Sequence, residues 1–396
     1  MAPLMAFFLH MYQPPLPIQT FDVLMRIINN SYIPLTETLL QTNHKITVNI
    51  NSSLTEMLKE HGPKVIENLS LLAERGQIEF LESGAYHPIF PLISKKDVES
   101  QIKINHKINK DCFGKYYNPE GVFPPELALN FDVTKQLSEL NYKYVVASEP
   151  TFTNLSFRNL PYIELESKKM YIIRRVRYLS NDLAFRKYND PLDFVNSIIQ
   201  FENSENKDQQ VIPILGMDWE TFGEHHNDYI PFLMKCMDLV KPITLGDYLL
   251  EMKNNNSLLN IDNAQMFNAS SWSTDQHDIE KKIPYPLWDN PSNSLHQLIL
   301  TLMEVLEQAV NFIDTNKTPT DFYKSQQSCQ LWWCAENRFG PEIVKRAINF
   351  QLQTLKEIKL IINQENNFEK KNAVEKLITI ADNIINRINH IMEMKK

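Results

Sequence analysis

VIPILGMDWETFGEHH (residues 211–226) runs from five apolar or strand-favouring residues into an acidic, aromatic knot that ends in two histidines. VIPIL reads as a buried strand. Beyond it stand the carboxylates Asp218 and Glu220, with Glu224, His225 and His226 close behind. Gly216 and Gly223 bracket the acidic pair in a chain with only 9 glycines among 396 residues, and are expected to let the backbone turn tightly around Asp218. A strand that finishes in such a cluster is what a parallel α/β barrel requires, because its active site is built at the C-terminal ends of the strands.

The rest of the chain repeats this pattern. Apolar runs at residues 4–9, 45–51, 77–83, 121–123, 142–148, 170–178, 211–218 and 242–245 read as strands. Helical spacing fills the intervals at 21–41, 54–74, 97–110 and 127–140. Strands alternating with helices imply βαβ units and a parallel sheet. About seven such units before residue 290 favour closure into a barrel. After about Leu295 the strands stop and three helical stretches follow, at 295–316, 341–363 and 372–393. The expected organisation is a catalytic barrel over residues 1–290 with a helical subdomain, 291–396, packed on it.

A net charge of −8 with scattered Lys and Arg argues against a nucleic-acid partner, since phosphate binding needs a basic surface. No run of about 18 apolar residues is present, so no membrane span is expected. The opening MAPLMAFFLHMYQPP lacks the basic start of a signal peptide. Four cysteines, Cys112, Cys236, Cys329 and Cys334, make no C-x-x-C pair and no disulfide scaffold. A soluble cytoplasmic protein is expected, with its oligomeric state open.

The strand ends carry the candidate chemistry. His10, Tyr12 and Gln13 follow the first strand, and Glu79, Glu82, Tyr86 and His87 are read as standing after the third. Glu126 follows Pro124-Pro125, which fix an extended turn; it reads either as a helix cap or as a carboxylate held into a cleft. Asp218 and Glu220, at i and i+2, share one face of an extended segment and raise each other's pKa, which suits a general acid. Trp219 and Phe222 within this knot, with Trp272, Trp332 and Trp333 in turn-rich stretches, offer apolar faces on which sugar rings stack. His225-His226 could suggest a metal, but adjacent histidines on a regular element point apart and no H-x-H or H-x-x-x-H pair exists. No dinucleotide, phosphate-loop, nucleophile-elbow or zinc-protease motif appears, so no cofactor and no metal are expected.

Taken in order, LHMYQPP (9–15), GQIEFLESGAYHP (76–88), GVFPPELAL (121–129), GMDWETFGEHH (216–226) and SCQLWWCAENRFG (328–340) resemble the five sequence regions of glycoside hydrolase family 57. The resemblance implies a (β/α)7 barrel with a helical C-terminal part. It also implies retaining chemistry on α-glucans, with a maltooligosaccharide or longer glucan as the substrate partner. By resemblance Glu126 is the nucleophile, Asp218 the general acid/base and Glu220 a supporting carboxylate, with His10 and Gln13 in the first region. That region's second histidine is Tyr12 here. A retaining pair stands roughly 5–5.5 Å apart. Chain length and the SCQLWW stretch incline the reading to an α-amylase-like hydrolase. A 4-α-glucanotransferase or branching-type enzyme uses the same two carboxylates and is the alternative. A non-catalytic glucan-binding protein of the same fold would need neither, and a metal-dependent carbohydrate deacetylase would need a His/Asp triad.

Overall fold

The computed structural model describes residues 2–395 apart from 154, 166–167, 206–210, 262–266 and 366. Its centre is a ring of parallel strands: β1 (Leu4–Met11), β2 (Ile46–Ile50), β3 (Ile78–Leu81), β4 (Gly121–Val122) and β5 (Tyr144–Ala147). The antiparallel β6 (Leu160–Leu165) comes next and pairs with β7 (Lys168–Arg174), which is followed by β8 (Ile214–Asp218), β9 (Lys241–Ile243) and β10 (Leu258–Asn260). Ladders join β3-β2-β1-β8 on one side and β4-β5-β7 on the other. A parallel bridge between Glu82 and Val122 closes one seam. The other seam is closed by the Val176 amide, which donates to the Ile214 carbonyl at 2.7 Å. The ring is therefore the expected seven-stranded parallel barrel. β9 pairs with the first residues of β1 at the opposite end, and β10 extends the sheet beyond β6.

Alternation along β1 sorts the layers. Met5, Phe7, Leu9 and Met11 face outward into the core under the surrounding helices, whereas Ala6 and Phe8 face the barrel interior. The interior partner of Phe8 is Gly216 on β8. A Cβ at Gly216 would lie 1.9 Å from the Phe8 ring, so this glycine makes room for an aromatic floor and does not serve the turn. The turn needs Gly223, whose φ is +100° and whose Cβ would strike the Asn30 carbonyl oxygen at 2.0 Å.

Several expected elements are subdivided. The helix expected at 21–41 contains a π-helical turn, Ile28–Tyr32, between α-helices Phe21–Ile27 and Ile33–Leu40. The helix expected at 54–74 breaks at Gly62-Pro63 into Ser52–His61 and Pro63–Glu74, because proline cannot donate into the preceding turn. The helix expected from residue 127 begins at Phe131, since Glu126 and Leu127 both take positive φ. The three C-terminal helices, Ser294–Val310, Pro341–Asn363 and Phe368–Met394, share one apolar core that also takes in Ala85, Tyr86, Ile89 and Ala128 of the barrel loops.

Gly216→Ala should destabilise the barrel by about 1–3 kcal/mol through overpacking. Adding Phe8→Leu to that variant should recover part of the loss in urea unfolding. An unchanged midpoint for Gly216→Ala would show that the close packing of Phe8 on Gly216 is not under strain.

Candidate active site

Three carboxyls gather at the C-terminal rim of the barrel. Asp218 is the last residue of β8, in register with His10 on β1. Glu220 follows in a 3₁₀ turn, Trp219–Thr221, so the turn and not an extended strand sets the pair's spacing. Its carboxylate accepts from Gln13 Nε2 at 2.7 Å and from the Tyr32 hydroxyl. Tyr32 reaches it from the π-helical turn, whose neighbour Ser31 donates to the Phe222 carbonyl at 2.7 Å.

Glu126 comes from the loop after β4. It lies at φ +61° and Leu127 at φ +49°, conformations that cost roughly 1–3 kcal/mol each for a side-chain-bearing residue. The turn is held by Leu127 N donating to Pro124 O at 2.8 Å and by Ala128 N donating to Pro125 O at 3.0 Å. Trp272 grips Glu126 twice: its backbone amide donates to the Glu126 carbonyl at 3.0 Å, and its indole Nε1 donates to Oε2 at 2.8 Å. His87 Nδ1 stands 3.7 Å from Oε1 and 2.8 Å from Ser328 Oγ.

The floor beneath is apolar. Phe123 stacks under His10 at 4.6 Å and meets Phe8 edge-on at 5.9 Å. Burial in this setting disfavours charge. Glu126 is pushed up to about 8 by burial and then by the charge of Asp218, while the Trp272 hydrogen bond and the nearby Ser328 hydroxyl pull it back. Glu220 is pushed up to about 8 by burial and by Asp218, against donors that include Tyr32 and Gln13. Asp218 rises to about 6 by burial, with Arg175 holding it down. The three titrate as one set that retains protons near neutral pH.

The other expected residues divide. His10, Tyr12, Gln13 and Trp272 surround these carboxyls. Tyr12 stacks on His87 at 4.0 Å, and its hydroxyl faces the Cys329 thiol at 3.6 Å. Trp332 and Trp333 lie on the helix that Ser328 leads into, half-buried and edge-on to each other at 4.7 Å. Glu79 does not join the site. It points inward near the opposite end of the barrel, accepting from Tyr144 at 2.6 Å, from Thr47 at 3.2 Å and from the Gly246 amide at 2.8 Å. Trp219 and Phe222 are fully buried in the core between barrel and helices and present no face to a sugar. His226 turns to the Ala184 carbonyl at 3.0 Å. Among the described residues no three His, Cys, Asp or Glu side chains stand where they could hold a metal ion.

Sequence reasoning missed Arg175, Ser328, Tyr32 and Asn49. Arg175, one residue past β7, donates to the Gly216 carbonyl at 2.6 Å and lies near Asp218. Its signal was available: two adjacent arginines inside the apolar run MYIIRRV.

A parallel barrel with a buried carboxyl set at its C-terminal rim defines a class of α/β-barrel proteins with an acid/base centre. The family model for glycosyl hydrolase family 57 matches residues 8–253, and the chain belongs to that family. It is 28% identical over 259 residues to alpha-amylase 1 of Dictyoglomus thermophilum, an alignment covering 60% of this chain and 36% of that protein. The chain spans about a third of the length of the curated relatives it matches. Its fold is similar to the 4-alpha-glucanotransferase of Thermococcus litoralis, with a TM-score of 0.70 at 19% identity, covering 91% of this chain and 60% of that one. A branching enzyme of Pyrococcus horikoshii gives a TM-score of 0.70 at 14% identity, covering 98% and 96% of the two chains.

Trp272→Phe should raise the Glu126 pKa further, because the anion loses a buried donor while the ring volume is largely kept. A ¹³C titration of the glutamate side-chain carboxyls reads this directly, and an unshifted Glu126 would refute the role given to the indole.

Proposed function

We propose that the chain is a retaining glycoside hydrolase acting on α-1,4-glucans in the manner of an α-amylase. The observation that carries the reading is the burial of Glu126 and Asp218, from two different strand ends, above one apolar floor, with the charge of Asp218 opposing ionisation of Glu126. Family membership and the relatives named alpha-amylase support it. Asp218 protonates the glycosidic oxygen while Glu126 attacks the anomeric carbon to form a covalent glycosyl-enzyme. Asp218, now a base, takes a proton from water, which attacks the same carbon and releases Glu126. Two inversions give net retention. Arg175 stabilises the Asp218 anion as it forms, and Gln13 with Tyr32 holds Glu220 beside the reacting groups. His10, Tyr12, Gln13, Trp272, Trp332 and Trp333 are the proposed sugar contacts. Glu79, Trp219 and Phe222 are structural.

Transfer to a sugar hydroxyl in place of water is the second reading. It is favoured by the relatives named 4-alpha-glucanotransferase, at 26–27% identity. We further propose a catalytic barrel over residues 1–290 with a helical subdomain over 291–396. The shared apolar core of the last three helices supports this division. A cytoplasmic setting fits four unpaired cysteines.

Glu126→Gln should abolish turnover of soluble starch, and Asp218→Asn should lower it by roughly 10²–10⁴-fold, the contribution of a general acid/base. Wild-type activity surviving in Glu126→Gln would refute the assignment. Shorter products with new reducing ends mean hydrolysis; longer and shorter products together mean transfer. The pH profile carries its own signature. Well below about 6 both carboxyls are protonated and no nucleophile is free, and well above about 8 both are ionised and no acid is left; between these values the pair holds one proton, which the stronger push on Glu126 draws to that residue, so the productive form with ionised Glu126 and protonated Asp218 is the minor one. kcat/KM should therefore be bell-shaped with its maximum between these values, and a monotonic profile across pH 5–9 would contradict the shared-proton pair.

A further inference from the structure

Glu220 is tied to the loop after β1 by a line of amides whose direction is fixed at its far end. The Thr20 backbone amide donates to Gln19 Oε1 at 2.9 Å. A backbone N–H can only donate, so this end of the Gln19 amide is its oxygen and the other end, Nε2, is a donor. Gln19 Nε2 donates to Gln13 Oε1 at 2.7 Å. The opposite end of the Gln13 amide is therefore a donor as well: its Nε2 donates to Glu220 Oε1 at 2.7 Å and to the Tyr32 hydroxyl oxygen at 3.4 Å. The Tyr32 hydroxyl directs its own proton to the same Oε1. The loop itself is anchored on both sides. Ser53 Oγ donates to the Gln13 carbonyl at 2.6 Å, and Ile18 is buried against Ala347 and Phe350 of the helix Pro341–Asn363.

The direction matters because the two forms of Glu220 have opposite needs. Ionised, Oε1 accepts from Gln13 and Tyr32 together. Protonated on Oε1, it would turn an O–H toward Gln13 Nε2, which has no lone pair to receive it. A free Gln13 would relieve this conflict by a half-turn of its amide, offering Oε1 to the acid. Gln19 opposes the half-turn, which would set Gln13 Nε2 against Gln19 Nε2, donor against donor. Gln19 cannot follow by turning its own amide, because its nitrogen would then face the Thr20 N–H.

We infer that Gln19 is a positioning residue for Glu220: acting through Gln13, it holds Oε1 as the acceptor of two hydrogen bonds and so favours the carboxylate over the acid. The titratable groups that act on Glu220 are Tyr32, from the π-helical turn, and Asp218, at the end of β8. Burial raises Tyr32 well above its ordinary value and keeps it neutral. Burial and the charge of Asp218 push Glu220 toward the acid, and the amide line pulls the other way. In the proposed reaction an ionised Glu220, two residues from Asp218, favours the proton on Asp218, where a general acid needs it. That kinetic meaning rests on the proposed function; the direction of the hydrogen bonds does not.

The test reads Glu220 itself and needs no substrate. The full chain is labelled with [¹³C]glutamate, the Glu220 carboxyl signal is assigned by its loss in Glu220→Gln, and its midpoint is followed by titration. Gln19→Met removes the amide while keeping length and charge. It should raise the midpoint by roughly 0.5–1 in pH, the worth of one hydrogen bond, because the ionised form loses its enforced donor. In a Gln13→Met background the same substitution should move the midpoint no further, since the effect passes through Gln13. Gln19→Lys, which can only donate, should not raise it. An unchanged or lowered midpoint in Gln19→Met, an equal rise in the Gln13→Met background, or a rise in Gln19→Lys would overturn the inference. A chain inactive on glucans would still show these shifts, so failure here is distinguishable from failure of the proposed activity.

Discussion

The packing of Phe8 against Gly216 governs the electrostatics of the whole rim. With no side chain at Gly216, an aromatic ring fills the barrel interior one layer below His10 and Asp218. Phe123 lies over it and under the His10 imidazole. Water is thus excluded from beneath the carboxyls, and charge there is opposed by a low-dielectric base. Burial above this floor raises Glu126, Asp218 and Glu220 and lowers both histidines, with the charge of Asp218 adding to the push on Glu126 and Glu220. A barrel with an alanine at residue 216 and a smaller residue at Phe8 could keep every polar side chain yet lose their protonation pattern.

Against that fixed floor, Glu126 is the costly element. Two successive residues in left-handed conformation persist only where surrounding contacts over-determine them. Trp272 supplies contacts to both the backbone and the carboxylate, and Leu129 exchanges hydrogen bonds with Ser270 at 2.9 and 3.0 Å. The segment at 270–272 therefore acts as a brace laid along the nucleophile loop.

The sequence disclosed what periodicity and local chemistry encode. Strand positions, the rim location of Asp218, Glu220 and Glu126, and the three late helices all follow from alternation, helical spacing and motif content. What escaped depends on contacts between distant segments. β6 escaped because an antiparallel strand set among parallel ones has no local signature of its own. Glu79 is expected after its strand but is the second residue of β3, so its side chain enters the barrel on the side of Tyr144, Thr47 and Gly246 and not at the rim. Trp219 and Phe222 looked like sugar platforms by composition, but the 3₁₀ turn after Asp218 rotates both into the core. The arginine pair in MYIIRRV flags Arg175 in the sequence, but its place beside Asp218 is intelligible only once β7 and β8 are known to be neighbours.

The π-helical turn at Ile28–Tyr32 bears on how this family member tolerates change in length. One extra residue in a helical turn shifts all later side chains by about 100° around the axis. Here that shift delivers Ser31 to the Phe222 carbonyl and Tyr32 to Glu220. A one-residue deletion anywhere between Phe21 and Tyr32 would leave a regular helix and still carry both contacts away from the rim. The first helix is therefore a segment in which substitutions at exposed positions are cheap and insertions or deletions are not, so its length, more than its composition, is under functional constraint.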